Sequence, residues 1–186
     1  TDGICRLLQL RRVAFVASEK PEMSVSAKTN QVEADMIAAM VERIFRQADR
    51  FDYSATVGVI VPYRNQIATV RNAIDRYGIP ALHSITIDTV ERFQGSQRDY
   101  IIYGLTVQQR CQLNFLTDNV FEEDGTLIDR KLNVAMTRAR KHLTIVGNPD
   151  ILAGSAVYRR LMDFMKSRGC YFNVACEKFC AGDFSV

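Results

Sequence analysis

The stretch 131–140, KLNVAMTRAR, combines a helical pattern with basic side chains at its C-terminal end. Thr137, Arg138 and Arg140 lie directly before an apolar segment that predicts a buried strand. A charged arginine beside a buried strand costs free energy unless it has a partner, so these side chains are candidates for a functional role. The alternative is structural, because basic residues also complement the partial negative charge of a helix C-terminus while they stay solvated.

A second candidate is the polar loop 88–99, DTVERFQGSQRD, which joins two predicted buried strands. It begins at the carboxyl end of a strand, the place where open α/β sheets bind ligands. Gly95 would allow close backbone approach or a positive φ, and Gln94 and Gln97 offer amide groups for ribose or phosphate contacts. A plain crossover turn with polar side chains remains the alternative.

The third candidate, 61–66 (VPYRNQ), also follows the carboxyl end of a predicted strand, and we expect it on the same rim of the sheet. Tyr63, Arg64 and Gln66 together could stack on a base and hold phosphates, as in single-strand binding proteins. Each of these residues is also ordinary on a protein surface, so a structural role stays open.

Some catalytic motifs are absent from the sequence. There is no GxxxxGK[ST] phosphate loop and no strand that ends in paired acids for Mg²⁺, which predicts that the chain is not a complete ATPase. No G-x-G-x-x-G follows a strand, so a small-molecule Rossmann enzyme is excluded. His83 and His142 border predicted strands, and we interpret both as structural.

Cysteine usage favours free or buried thiols, because the count of five is odd and no CxxC pair occurs. We therefore expect no metal site. One alternative remains, in which Cys170, Cys176 and Cys180 of the tail hold a metal together with His142.

Composition sets the class of protein. A chain of 186 residues with 47% hydrophobic and 24% charged residues fits one compact domain, 1–186. The net charge of +3 is too small to indicate nucleic-acid binding by itself. Without an apolar run of membrane length or a secretory signal, we expect an intracellular protein, cytoplasmic, nuclear or nucleoid, with no membrane partner. The start at Thr1 predicts that the chain belongs to a longer protein.

β-Branched and aliphatic segments alternate with helical patterns, which predicts an α/β fold with a mostly parallel sheet and crossover helices. Asn30 is the expected N-cap of the first crossover helix, with Glu33 three residues on. The predicted strands are 12–17, 56–61, 84–90, 99–107 and 142–146, and the other predicted helices are 65–77, 129–140 and 156–167.

The remaining segments lack clear periodicity. We expect an insertion at about 108–128, either a mobile loop or a docking surface, with an acidic run at 122–124. The expected core covers about 12–165, and 166–186 is a predicted C-terminal extension.

Taken together and in this order, the segments resemble the second RecA-like domain of superfamily 1 helicases. The similar branch contains the nonsense-mediated-decay RNA helicase, senataxin and the Okazaki-fragment helicase-nuclease. The stretch 57–66 resembles that branch's post-strand motif, 89–102 its motif V and 132–149 its motif VI. The pattern at 26–34 is similar to the lead-in to its first crossover helix, and the resemblance covers about 12–165.

This resemblance implies a RecA-like three-layer fold of the P-loop NTPase type that lacks the phosphate loop itself. It makes Arg138 the arginine finger, which reaches the γ-phosphate of ATP held by a first motor domain, and Arg140 an accessory to it. Gln94 and Gly95 match the motif V turn, and Thr89 lies where that segment approaches the nucleic-acid backbone.

The resemblance also implies binding sets and partners. ATP and Mg²⁺ are held mainly by the first RecA-like domain, expected before Thr1, and single-stranded DNA or RNA is the other partner. One departure is Gln97, where the family usually has a glutamate that contacts ribose, so a non-catalytic nucleic-acid-binding module is the alternative. The nucleotide set is Gln94, Gly95, Gln97, Arg138 and Arg140; the nucleic-acid set is Pro62, Tyr63, Arg64, Gln66, Thr89 and Arg92.

Overall fold

The computed structural model describes residues 1–93, 96–118 and 120–186 as alternating strands and helices. The strands are β1 (Val13–Ala17), β2 (Val57–Val61), β3 (Thr86–Thr89), β4 (Arg98–Gly104), β5 (Val120–Glu123), β6 (Thr126–Asp129), β7 (Ala139–Gly147) and β8 (Tyr171–Asn173). The α-helices are α1 (Gly3–Leu10), α2 (Gln31–Gln47), α3 (Arg64–Asp75), α4 (Leu113–Leu116), α5 (Arg130–Arg138), α6 (Pro149–Leu152), α7 (Ala156–Ser167) and α8 (Cys176–Ala181).

Six of these strands form one sheet in the order β3-β2-β4-β7-β1-β8. Every pairing between neighbours in that sheet is parallel, whereas β5 and β6 form a separate antiparallel hairpin. The predicted α/β class with a parallel sheet is confirmed. The strands β1 (VAFVA) and β2 (VGVIV) contain no polar side chain, which is typical of strands in parallel sheets that are covered on both faces.

Successive side chains of each strand enter two different hydrophobic layers. In β1, Ala14 and Val16 pack with helices α1, α2, α3 and α8, whereas Phe15 and Ala17 pack on the opposite face with α4 to α7. This alternation follows from the two-residue period of a strand. The result is the predicted three-layer RecA-like arrangement.

Two predicted helix starts are confirmed by their caps. The Asn30 side chain accepts a hydrogen bond from the backbone N of Glu33 at 3.0 Å, which begins α2. The Asp129 carboxylate accepts from the backbone N of Lys131 at 2.9 Å and begins α5. Such caps satisfy backbone donors that the first turn of a helix leaves free.

The two ends of the chain contribute structure that the sequence analysis does not predict. Helix α1 begins at its N-cap Asp2, and the backbone N of Gly3 donates to the carbonyl of Gly182 at 2.8 Å. Ile4 of α1 and Phe179 of α8 are fully buried in the same hydrophobic layer. The core therefore includes side chains outside 12–165. The helical spacing of Ile4, Leu7 and Leu8 behind Asp2 is the signal that could have identified α1.

The expected insertion at 108–128 contains regular structure on both sides of residue 119. A 3-10 turn at Arg110–Gln112 leads into α4, and the hairpin of β5 and β6 follows. The Gln112 side chain accepts hydrogen bonds from the backbone N of Gln108 at 2.8 Å and of Gln109 at 3.0 Å. The described part of the insertion therefore has regular structure, and its expected role as a mobile loop or a docking surface stays a prediction.

Candidate functional site

Arg138 and Gln97 are brought together at the amino ends of two neighbouring strands. Arg138 is the last residue of α5 and directly precedes β7, while Gln97 directly precedes β4. The register of the two strands pairs Arg98 with Ala139, which sets the preceding residues side by side. The Gln97 amide Nε2 also donates to the carbonyl of Thr137 at 3.3 Å. Two residues 41 positions apart thus share one edge of the sheet.

The Arg138 guanidinium is incompletely paired within the described residues. Its Nε is shielded from solvent and has no hydrogen-bond partner among them. A guanidinium carries five N–H donors and no acceptor, and a buried donor without a partner costs about 1–3 kcal/mol. The residue as a whole is partly exposed, so a phosphate oxygen that arrives from outside the chain can bind the accessible part of the guanidinium.

Arg140 has a different environment. Its Nε donates to Asp99 Oδ1 at 2.9 Å and its Nη2 to the carbonyl of Ala55 at 2.9 Å, and Lys141 Nζ lies 3.2 Å from Asp99 Oδ2. These contacts tie the start of β7 to the start of β4 and to the turn before β2. This geometry indicates that Arg140 supports the edge that carries Arg138.

A further arginine at this edge, Arg98, is absent from the predicted set. It is buried, its guanidinium lies 5.4 Å from the centre of the Phe93 ring, and its Nη2 donates to Thr86 Oγ1 at 3.0 Å. Desolvation by burial, and then the charge of Arg140, lower the pKa of Arg98. Gly58 of β2 makes room for this pair, because a Cβ there would stand 2.5 Å from Phe93 Cζ. The loop before β4 is thus anchored by Phe93 beneath the sheet edge.

Gln94 and Gly95, two members of the predicted nucleotide set, lie outside the described residues. Their roles stay predictions. The described neighbours on either side are Phe93, which is buried, and Ser96, which is partly exposed.

Most of the predicted nucleic-acid residues gather at the opposite, carboxyl edge of the sheet. The register pairs Val61 with Thr89, so Pro62 follows β2 beside the end of β3. A groove of about 630 Å³ opens here, lined among others by Lys28, Pro62, Tyr63, Arg64, Thr89 and Phe115. Basic side chains beside aromatic rings are the combination used by proteins that bind single strands.

Gln66 must be removed from the predicted nucleic-acid set. It is fully buried, its Oε1 accepts from the backbone N of Asn30 at 2.8 Å, and its Nε2 donates to the carbonyl of Asn30 at 2.8 Å. Both ends of the amide are therefore used inside the protein, where they fix the start of α2. Arg92 is exposed, with its Nε 3.6 Å from Asp88 Oδ2, and it does not line the groove.

The rim expected to be shared by 61–66 and the start of the loop 88–99 is confirmed, because Val61 and Thr89 pair at the carboxyl ends of β2 and β3. Other candidate residues occupy the opposite edge. Gln97, Arg138 and Arg140 lie at amino ends of strands, whereas Pro62 and Thr89 lie at carboxyl ends. The seven residues of β4 separate the two edges by about 20 Å. The sequence shows where each strand ends, but Thr89 at the end of β3 and Gln97 before β4 lie at opposite edges of the sheet.

A buried polar network lies beneath the carboxyl edge. The carboxylate of Glu33 in α2 accepts from Ser18 Oγ at 2.9 Å and from the backbone N of Thr106 at 2.6 Å. The Asn30 Nδ2 donates to the carbonyl of Thr106 at 3.4 Å. Complete burial raises the pKa of Glu33 to about 8, although both hydrogen bonds oppose the shift. The network joins the loops after β1 and β4 to the start of α2.

The tail cysteines and His142 are not assembled into a metal site. His142 is buried, with Nδ1 2.6 Å from the carbonyl of Arg11, and burial lowers its pKa. Cys176 Sγ and Cys180 Sγ lie 3.9 Å apart on α8. Among the described residues, no group of three or more metal-ligating His, Cys, Asp or Glu side chains is found. Within the residues that the structure describes, every helix is too short or too polar to cross a membrane.

Comparisons with known proteins identify relatives of this chain. A protein-family model described as an AAA domain matches residues 7–150. Helicase sen1 of Schizosaccharomyces pombe is 32% identical over 84% of the chain, and Helicase SEN1 of Saccharomyces cerevisiae is 31% identical over 81%. The Regulator of nonsense transcripts 1 homolog of Neurospora crassa is 28% identical over 83%.

The chain spans only 9%, 6% and 13% of the lengths of these three relatives, respectively. Its match to the family model nevertheless covers most of the chain, and the parallel three-layer fold agrees with the one implied by the sequence motifs. The chain belongs to the AAA domain family, as a RecA-like domain of the kind found at the C-terminal side of superfamily 1 helicases.

Proposed function

We propose that this chain is the second motor domain of an ATP-dependent superfamily 1 helicase, and that Arg138 is its arginine finger. The observation that carries the proposal is the placement of Arg138 beside Gln97, with a shielded Nε that lacks a partner among the described residues. Arg138 as a whole is partly exposed, so its guanidinium is available to an anionic ligand that enters from outside. The sequence similarity to helicases supports the same assignment.

In this proposal the ATP site is shared between two domains. The first RecA-like domain provides the phosphate loop and the Mg²⁺ ligands that this chain's sequence lacks, and it holds ATP. Arg138 stabilises negative charge that develops on the γ-phosphate during transfer to water, while the Gln97 amide contacts the ribose. Arg140, held by Asp99 and Ala55, keeps the edge in place.

The groove at the carboxyl edge is the proposed track for single-stranded DNA or RNA. Lys28 and Arg64 offer charge for phosphates, and Thr89 lies at the end of β3 in the same groove. Thr89 lies at this groove, and Gln97, eight residues on in the sequence, lies at the proposed ATP edge. One short piece of chain therefore joins both sites, which gives a physical route by which strand binding and hydrolysis influence each other.

The test of the finger is the nucleic-acid-stimulated ATPase rate of the two-domain helicase with Arg138→Ala. The proposal requires a large loss of turnover, because the transition-state charge loses a positioned partner. A rate equal to that of the unsubstituted protein contradicts it.

We expect the 186-residue chain alone to show no ATPase activity and to bind single strands weakly and with strong salt dependence. Phosphate contacts release counterions, so Arg64→Ala should weaken binding and reduce the salt slope by roughly one. Fluorescence anisotropy with a labelled oligonucleotide over a salt series measures both. Arg76→Ala is the matched control, since Arg76 is an exposed arginine at the other end of α3, paired with Asp35. Tight binding that is insensitive to salt would contradict the expected mode.

Gln97 supports a second candidate function, a nucleic-acid-binding module without a catalytic role. Here an amide stands where the family usually has glutamate, and its Nε2 already contacts the carbonyl of Thr137. A module of this kind would bind strands as described, yet Arg138→Ala would leave ATP hydrolysis by the whole protein unchanged. The ATPase assay therefore separates the two functions.

A further inference from the structure

An aromatic pair lies in the groove at the carboxyl edge. The rings of Tyr63 and Phe115 are stacked, with centroids 5.0 Å apart and planes 19° from parallel. Tyr63 belongs to the motif at 57–66, whereas Phe115 lies in α4, within the insertion expected at about 108–128. Phe115 is 44% exposed, a large share for an aromatic side chain that is held in one place.

Lys131 holds Phe115 in this position. Its Nζ donates to the carbonyl of Phe115, at 2.6 Å, and lies 4.0 Å from the centre of the Phe115 ring. The same Nζ is 3.1 Å from Asp118 Oδ1, and the Lys131 side chain is only 3% exposed. A buried ammonium that binds both the backbone and the ring fixes the aromatic surface before any ligand arrives.

The surroundings of the pair define the ligand that fits. Lys28 and Arg64 line the same groove together with Glu91, so the lining residues carry one excess positive charge, and the largely buried Pro62 lies beside Tyr63. A groove of about 630 Å³ exceeds the volume of one nucleotide and is open to solvent. Charge for phosphates beside a fixed aromatic surface matches a single strand with exposed bases, in which each base has a π-face that stacks without regard to sequence.

We propose that the Tyr63–Phe115 stack forms a base-stacking platform for single-stranded nucleic acid, in which the partly exposed Tyr63 ring receives the base. Phe115, whose ring already contacts Tyr63 and Lys131, supports Tyr63 from behind, and Lys131 is the positioning residue of the stack. This inference rests on the proposed strand-binding role of the groove and adds to it a contact with the bases themselves. It assigns a function to part of the segment 108–128. It also predicts binding with little sequence preference, since stacking does not distinguish the hydrogen-bonding edges of the bases.

The experiment compares Phe115→Ala with Phe121→Ala in the 186-residue chain, by anisotropy with a labelled single strand and with the same strand carrying abasic sites. Phe121 is the matched control, an exposed aromatic of the same segment that lies on β5 under Arg130 and does not line the groove. Circular dichroism and the thermal midpoint verify that each variant is folded.

Phe115→Ala is expected to weaken binding of the normal strand about tenfold, with the salt slope unchanged, because no charge is lost. The abasic strand should bind the unsubstituted chain as weakly as the normal strand binds the variant, and combining the two changes should add little. Lys131→Met, which keeps the length of the side chain, should weaken binding of the normal strand more than binding of the abasic strand. Phe121→Ala should bind like the unsubstituted chain.

Equal binding by Phe115→Ala and Phe121→Ala, while Arg64→Ala still weakens binding, would overturn the stacking platform and leave the proposed strand track intact. A loss upon Phe115→Ala that is equally large for normal and abasic strands would also overturn it. If the unsubstituted chain binds no single strand, the platform fails together with the proposed track.

Discussion

Arg138→Ala is expected to lower the turnover number of strand-stimulated ATP hydrolysis by on the order of 10³ in the two-domain helicase, with a much smaller change in KM. An arginine finger acts on charge that develops in the transition state, so its loss raises the barrier more than it weakens ground-state binding of ATP. Steady-state kinetics at saturating single strand separate the two constants.

This substitution should leave the fold intact. Arg138 is partly exposed at the end of α5, and its Nε makes no hydrogen bond within the described residues, so few contacts are removed. We expect a thermal midpoint close to that of the unsubstituted protein. A loss of turnover with an unchanged midpoint therefore reports on the reaction and not on unfolding.

Two further variants sharpen the test of Arg138. Lys141→Ala removes the same charge three residues on, from an exposed side chain whose partner Asp99 keeps its bond to Arg140, and should change turnover little. Arg138→Lys retains the charge but loses the planar fork that matches phosphate, so an intermediate rate is expected. Equal rates for Arg138→Ala and Lys141→Ala would indicate a general effect of surface charge and would exclude a specific finger.

The sequence predicts the fold class well because local signals agree with the tertiary structure. Continuous apolar runs identify β2 and β4, the cap residues Asn30 and Asp129 begin α2 and α5, and the range of α7 is predicted without error. These features depend on neighbours in the chain. They are therefore readable from one sequence without knowledge of which strands pair.

The arrangement of the site is less predictable, because it depends on contacts between distant residues. The strand order places β4 beside β7, and this pairing alone brings Gln97 to Arg138. Gln66 carries the right chemistry for a nucleic-acid contact, yet its amide is used to fix Asn30. A polar residue after a strand looks the same in sequence whether it faces solvent or closes a buried network.

Phe115 and Lys131 are groove residues that the sequence alone does not identify. Neither residue stands out in the sequence, since one lies in an irregular segment and the other in the first turn of a helix. Their importance follows from the position of α4 against α5 and Tyr63, which no periodicity encodes. Helix α5 carries the motif residue Arg138 in its last turn, whereas Lys131, which positions Phe115 in the groove, lies in its first turn.

Glu33→Gln is expected to remove a pH dependence from the stability of the domain. Folding raises the pKa of Glu33 from 4.5 to about 8, so the folded state binds this proton more tightly than the unfolded state does. The stabilisation is fully present below pH 4.5 and is lost as the pH rises through about 8. The free energy of unfolding of the unsubstituted chain should therefore fall, relative to the variant, by about 1.5 kcal/mol between pH 6.5 and pH 8.

The glutamine variant is suited to this test because it keeps the shape and both contacts of the network. Its carbonyl oxygen can accept from the backbone N of Thr106, and its amide can donate to Ser18 Oγ, so a large loss of stability at low pH is not expected. Denaturant unfolding of both proteins at several pH values gives the difference. In that difference the contributions of other groups, such as His142 with its lowered pKa, cancel.

Asp35→Asn is the matched control for Glu33, two residues on in α2, where the partly exposed Asp35 pairs with Arg76. Its stability difference from the unsubstituted chain should stay flat across the same pH range. If Glu33→Gln also gives a flat difference, Glu33 is ionised in the folded protein and its two hydrogen bonds outweigh desolvation. A falling difference instead means that protonated Glu33 joins the loops after β1 and β4 beneath the groove, and that alkaline pH loosens this support before it unfolds the sheet.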